Sequence, residues 1–257
     1  MTSSWSEAKG RAVRAGCALV PLLALTACGH GGTDGRNEEF RTVSLAQGVR
    51  LVVTTQGGVR VVGTDGDRVT VDDSVLAHGD DGDGDTYTLD LPCDEADDRA
   101  RPNCGGMPLV RVPSGVTLTV RARNAGIDVS DVRGGLSLST VNGDVTVQDA
   151  GTKDARQHLV TRNGSVRATG LKGAGVEAET VNGDVDLGCA TSPGTLDGVT
   201  RNGSVRVTLP AGAPAYATEA RTVNGRSTTD VPAAGSSDHT HRLTLRTVNG
   251  DTEVRRG

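Results

Sequence analysis

A unit of Thr-x-Asn-Gly, usually followed by Asp or Ser and then Val, recurs along the second half of this chain. It stands as Thr140-Val-Asn142-Gly-Asp144-Val145, Thr161-Arg-Asn163-Gly-Ser165-Val166 and Thr180-Val-Asn182-Gly-Asp184-Val185. It returns as Thr200-Arg-Asn202-Gly-Ser204-Val205, Thr222-Val-Asn224-Gly-Arg226 and Thr247-Val-Asn249-Gly-Asp251. Successive asparagines are 21, 19, 20, 22 and 25 residues apart, and a weaker copy, Asn124-Ala-Gly126-Ile127, lies 18 residues before the first. Such a period is the mark of a repeat architecture, in which each unit buries its apolar face only against its neighbours.

Each unit alternates with period two, the pattern of a strand with one buried face. Leu136, Leu138 and Thr140 share a face before the turn, and Val145 and Val147 share one after it. The same holds for Val176, Ala178 and Thr180 with Val185 and Leu187, and for Leu243, Leu245 and Thr247 with Thr252 and Val254. Asn-Gly between strands is a strong turn signal, because both residues tolerate positive φ. Two all-β folds satisfy this. One is a right-handed β-solenoid with repeats of about 20 residues, in which each Asn-Gly is the corner of a coil. The other is an antiparallel β-sandwich or meander, in which each closes a hairpin. The near-constant period favours the solenoid, where Asn142, Asn163, Asn182, Asn202, Asn224 and Asn249 form a turn ladder of stacked side chains. One Phe, two Tyr and one Trp suit a narrow core of Val, Leu, Ala and Thr.

The N-terminus reads as a secretory signal. Lys9, Arg11 and Arg14 precede a short apolar stretch, Ala15 to Ala24, too short to span a bilayer, which takes about 20 residues. Leu25-Thr26-Ala27-Cys28 resembles the bacterial lipobox, which implies lipidation at Cys28. Residues 1–27 are therefore expected to be a lipoprotein signal peptide, 28–39 the lipidated cysteine and a flexible tether, and 40–257 one solenoid domain. The expected location is the extracytoplasmic face of the cell membrane, held there by the lipid anchor. Removing Lys9, Arg11, Arg14 and Glu7, together +2, takes the net charge from −5 to −7. An acidic domain argues against nucleic acid as a partner.

Of five cysteines, Cys17 leaves with the signal and Cys28 is consumed by lipid. Cys93 and Cys104 bracket a polar segment and are expected to form a disulfide, worth on the order of 3 kcal/mol by loop closure. Cys189 reads as a small buried hydrophobe.

Val-Pro-Ser-Gly-Val-Thr-Leu-Thr-Val over residues 112–120, followed by repeated Thr-Val-Asn-Gly-Asp-Val, resembles the bacterial putative-adhesin domain of unknown function. The resemblance spans about residues 45–256. It implies a β-solenoid common in lipoproteins and envelope proteins, and it brings no catalytic residues.

No catalytic constellation emerges from the residues. There is no Gly-x-Ser-x-Gly elbow, no Ser-x-x-Lys pair and no His-Glu-x-x-His helix. A polysaccharide-cutting β-helix enzyme, the competing reading, needs paired acids on adjacent strands. The column after each glycine instead alternates, Asp144, Ser165, Asp184, Ser204, Arg226, Asp251. Asp80-Asp-Gly-Asp-Gly-Asp85 suggests calcium, but read as a binding loop from Asp81 it has Thr86 where glycine is needed and Pro92 where the bidentate glutamate is needed. It reads as a solvated acidic turn. His239-x-His241 lacks a third ligand. The thresholds for a metal or other cofactor are not met, and the function expected is a non-catalytic, adhesin-like or scaffold module with a protein or glycan ligand at the cell surface.

Overall fold

The computed structural model describes residues 42–46, 48–72, 77–81, 85–92, 106–235 and 240–257. Among them every regular element is a strand, and the strands build two sheets. In spatial order one sheet carries β5 (His78–Asp81), β6 (Thr86–Leu91), β2 (Arg50–Thr55), β8 (Thr117–Arg121), β10 (Leu136–Ser139), β12 (Arg156–Val160), β14 (Gly175–Glu179), β16 (Thr195–Val199), β20 (Arg242–Asn249) and β18 (Ala217–Asn224). The other runs β1 (Thr42–Ser44), β4 (Arg68–Val71), β7 (Leu109–Pro113), β3 (Val59–Thr64), β9 (Ile127–Ser130), β11 (Val145–Gln148), β13 (Val166–Leu171), β15 (Val185–Cys189), β17 (Val205–Leu209), β21 (Thr252–Arg256) and β19 (Ser227–Thr229).

The chain is a β-solenoid. Each coil lays one strand in the first sheet, crosses through an Asn-Gly turn to the second, and returns. From β8 onward every pairing is parallel, so the turns are corners between sheets and not hairpins within one. Among the described residues antiparallel pairs occur only near the N-terminal end, at β1–β4, β4–β7 and β5–β6.

Stacking puts like residues over like. Leu138, Leu159, Ala178, Gly198 and Leu245 form one inward column, and Val145, Val166, Val185, Val205 and Thr252 another. Nearly all of these side chains are fully buried. Burying each Val or Leu contributes about 1.5–3 kcal/mol. Polar exceptions on the inner face are hydrogen-bonded or small. Gln157, 1% exposed, donates its Nε2 to the Lys172 carbonyl at 3.3 Å.

Chain order and stacking order part company at both ends. The coil of β2 and β3 lies between those of β6/β7 and β8/β9. The last coil, β20/β21, inserts between β16/β17 and β18/β19, leaving β18/β19 outermost. The inward positions of that outer coil flanking its turn threonine are Thr218, Ala220, Ser227 and Thr229, where inner coils carry mostly Leu, Val or Ala. A polar terminal unit is what a solenoid needs where stacking stops.

Candidate binding edge

The turn ridge between the two sheets is the most regular surface of the molecule, and its regularity has a backbone cause. Along it every glycine N–H except that of the outermost coil donates to the asparagine carbonyl of a neighbouring coil: Gly143 to Asn163, Gly164 to Asn182, Gly183 to Asn202, Gly203 to Asn249 and Gly250 to Asn224, all at 2.9–3.0 Å. These glycines hold φ between 140° and 157°, and a Cβ on Gly164, Gly183, Gly203 or Gly250 would stand 2.0–2.1 Å from the carbonyl oxygen of the glycine one coil back. Only glycine lets the coils approach this closely. The asparagines do not use positive φ; outside glycine, among the described residues, only Asp131 and Asp149 do. Asparagine is there for its side chain.

That side chain forms a directional ladder. Asn163 Nδ2 donates to Asn142 Oδ1, Asn182 to Asn163 and Asn202 to Asn182 at 2.9 Å. The ladder continues from Asn249 to Asn202 and from Asn224 to Asn249 at 2.8 Å. Its order is therefore 142, 163, 182, 202, 249, 224, with the last two exchanged relative to the chain. Beneath it the threonines turn inward. Thr161, Thr180, Thr200 and Thr247 donate their Oγ1 to Gly143, Gly164, Gly183 and Gly203 at 2.8 Å, and all four are at most 5% exposed. Thr140 donates likewise to Ala125.

The column after glycine forms a second ladder of acceptors. Asp144 Oδ1 takes the Ser165 N–H, Ser165 Oγ the Asp184 N–H and Asp184 Oδ1 the Ser204 N–H. Ser204 Oγ takes the Asp251 N–H, and Asp251 Oδ1 the Arg226 N–H. In stacking order the column reads Asp, Ser, Asp, Ser, Asp, Arg, so no two carboxylates occupy adjacent coils. Arg167 pairs with Asp144, and Arg206 bridges Asp184 and Asp186 at 3.4 and 3.3 Å. Partial desolvation works against ionising Asp144, but the Ser165 N–H and the Arg167 guanidinium outweigh it and hold its carboxyl below the usual value.

The column before asparagine is different in kind. In stacking order it reads Arg123, Val141, Arg162, Val181, Arg201, Val248, Val223. Arg123, Arg162 and Arg201 are exposed, and among the described residues none has an ion pair or side-chain hydrogen bond. They recur at every second coil, roughly 9.6 Å apart at the usual strand spacing. Val141, 39% exposed, and the half-buried Val181 lie between them, and Val248, also 39% exposed, follows Arg201. Asp144 and Asp184 are paired to Arg167 and Arg206 of the second sheet, so the ridge presents guanidinium groups without ion pairs among the described residues, separated by small apolar side chains, with the exposed Glu179 on the coil between Arg162 and Arg201. At its N-terminal end it opens into a cleft of about 660 Å³, lined by Thr54, Gln56, Asp90, Arg121, Arg123 and Val141 among others. Arg121 too is without an ion pair among the described residues, while Asp90 accepts from Thr54 Oγ1 at 2.6 Å. The Val/Arg alternation is visible in the sequence as Thr-Val-Asn-Gly against Thr-Arg-Asn-Gly.

Other sequence candidates fall elsewhere. Cys28, Cys93 and Cys104, the signal and the tether lie outside the described residues, as do Asp83 and His239. Asp80 and Asp85 are exposed at the edge of the first sheet. The His241 ring packs edge-on against Tyr216 at 5.2 Å. Cys189 is buried and unpaired, and desolvation pushes its thiol up to about 12, which removes the thiolate needed for reactivity. Among the described residues no group of three or more His, Cys, Asp or Glu side chains could hold a metal ion.

Two facing parallel sheets wound coil on coil, with a polar ladder at one corner, define a β-solenoid repeat protein. The chain belongs to the Toastrack DUF4097 family, whose model matches residues 113–255. No curated protein matches it. Solved structures with some likeness include a putative cell adhesion protein from Clostridium sporogenes, 9% identical, with a TM-score of 0.39 over 84% of this chain and 98% of that one. Another is a putative adhesin from Bacteroides fragilis, 12% identical, with a TM-score of 0.35 over 84% of this chain and 95% of that one. Likenesses this slight define neither the shape nor the activity of this chain.

Proposed function

We propose that this chain is a cell-envelope lipoprotein, anchored through Cys28, that acts as a non-catalytic, adhesin-like binding module. Its turn ridge holds an extended anionic polysaccharide. The observation that carries this reading is the column of exposed arginines, each without an ion-pair partner among the described residues, set at every second coil with valine between. A guanidinium fork takes a carboxylate bidentately and is less strongly hydrated than an ammonium. The ladder beneath is rigid, so ordering the site on binding costs little. Two coils rise by roughly 9.6 Å, comparable to two sugar rings in an extended chain, and the valines offer contact to the apolar ring faces. The overall acidity of the protein confines a polyanion to this edge.

The test titrates the whole chain with hyaluronan, which carries one carboxylate per disaccharide, with polygalacturonate, which carries one per sugar, and with neutral dextran. Hyaluronan should bind most tightly, more weakly as salt rises, and should not be shortened. Arg162→Ser with Arg201→Ser should weaken binding by about tenfold or more, the factor that 1.4 kcal/mol represents, while Arg50→Ser on the first sheet should leave it unchanged. Equal binding of dextran, or an indifferent double variant, would overturn the ridge as the site, and shortening of the polymer would overturn the non-catalytic reading. Loss of acyl labelling in Cys28→Ala tests the anchor separately.

A further inference from the structure

Six Asn-Gly pairs share one sequence and one kind of turn, yet one of them differs in its hydrogen bonding. Asn-Gly is prone to spontaneous deamidation. The glycine amide nitrogen loses its proton and attacks asparagine Cγ, and the N–Cγ bond forms as ammonia leaves. Water then opens the cyclic imide to aspartate or isoaspartate. A glycine N–H engaged in a hydrogen bond is withdrawn from that attack, and a backbone clamped between two coils cannot swing its nitrogen toward Cγ.

Gly143, Gly164, Gly183, Gly203 and Gly250 are all engaged, each donating to the next coil at 2.9–3.0 Å. Gly225 lies in the outermost coil, where no further turn stacks on it. Its N–H has no hydrogen-bond partner among the described residues, and both Asn224 and Gly225 are exposed. The Asn224 side chain holds a single rung, donating to Asn249 Oδ1 at 2.8 Å, whereas Asn163, Asn182, Asn202 and Asn249 each donate to one neighbour and accept from another.

We propose that Asn224 is a selective site of spontaneous deamidation, and that the reaction releases the last rung of the ladder. The product carboxylate has no N–H to give Asn249 Oδ1 and faces that acceptor with a negative charge. The isoaspartate form also lengthens the backbone of β18 by one methylene. Both loosen the coil of β18 and β19 from that of β20 and β21, while the inner rungs are untouched.

The whole chain is incubated in mildly alkaline buffer, digested with trypsin and mapped by mass spectrometry. Arg221, Arg226, Arg246 and Arg255 are cleavage points, so the peptides bearing Asn224 and Asn249 separate cleanly. Asn224 should convert at least roughly tenfold faster than the other five, because those react only after their coils open. In denaturant the rates should converge, Asn163 and Asn202 being read together because both lie in the tryptic peptide Asn-Gly-Ser-Val-Arg. Equal rates in the folded chain would overturn the proposal. So would a lead for Asn224 that persists in denaturant, since local sequence and not the fold would then set it. Asn224→Gln should abolish the fast phase and leave the slow ones unchanged.

Discussion

The middle of this solenoid and its C-terminal end are made from the same unit but held differently. From Asn142 to Asn202 each coil has a neighbour on both faces, and the order of coils is the order of the chain. The turns at Asn163, Asn182 and Asn202 each make a glycine N–H bond, a threonine hydroxyl bond and two asparagine rungs, and that at Asn142 makes one rung. At the C-terminal end the chain lays down β18/β19, then threads β20/β21 inside it. The outer coil keeps its Thr-x-Asn-Gly turn, but its inward side chains are small or polar and Val223 is 74% exposed. Neighbours are thus chosen by which coil can cover which. Leu243, Leu245 and Val254 need a cover, whereas Thr218, Ser227 and Thr229 tolerate having none.

This contrast can be broken or sharpened by paired substitutions, one in the middle and one at the end. The largest effect belongs to glycine. Gly183→Ala places a Cβ 2.0 Å from the Gly164 oxygen at φ +153°, with coils packed on both sides. It should cost roughly 2–5 kcal/mol of global stability, combining backbone strain with overpacking. Gly225→Ala meets the Gly250 oxygen at 1.9 Å, but the outer coil is free to peel away. Chemical denaturation should show a lowered midpoint for the first and little change for the second, and hydrogen exchange should show β18 fraying in the second.

Next comes the ladder. Asn182→Ala removes two rungs and should cost about 1–3 kcal/mol, while Asn224→Ala removes one exposed rung and should cost about 1 kcal/mol or less. Equal losses would mean that rungs act independently of their place in the stack. A smaller difference is expected at threonine. Thr180→Val leaves the Gly164 carbonyl without its buried donor and should cost about 1 kcal/mol. The half-buried Thr222 should cost less when changed in the same way.

The smallest effect is electrostatic. The Asp144 carboxyl is held below its unfolded value, so its contribution is present above that value and is lost as pH falls through the folded one, that is, below about pH 4. Asp144→Asn should flatten the acid limb of a stability–pH curve slightly. No difference between wild type and Asp144→Asn below about pH 4 would mean that Arg167 is not stabilising the charge.

Much of this was legible before the structure. The inward parity of Leu136, Leu138 and Thr140 with Val145 and Val147 follows from period two alone, and all five are buried. The alternation of Asp and Ser after glycine is legible as well, and in chain order it breaks at Arg226 and Asp251. That break is the trace of the inverted last coil, because in stacking order the alternation continues. The polar inward face of residues 218–229 pointed the same way. The arginine ridge is not legible in the same way, because residues about 40 apart in the chain become neighbours only once the coils stack.

The sequence by itself determined the period, the strand faces, the corners and the residue types in each column, because hydrophobic alternation and turn chemistry are local and every coil repeats them. Strand parity alone did not separate parallel from antiparallel pairing, since both bury the same positions, but the near-constant period favoured the solenoid that the structure has. The sequence could not say which coil lies beside which, since that depends on long-range covering of apolar edges. The tertiary structure decided these, and with them two further things. It made asparagine a ladder residue and not a positive-φ residue, because its amide meets its own copy one coil away. It also brought Arg123, Arg162 and Arg201 into one line, because stacking converts a recurrence along the chain into a row in space.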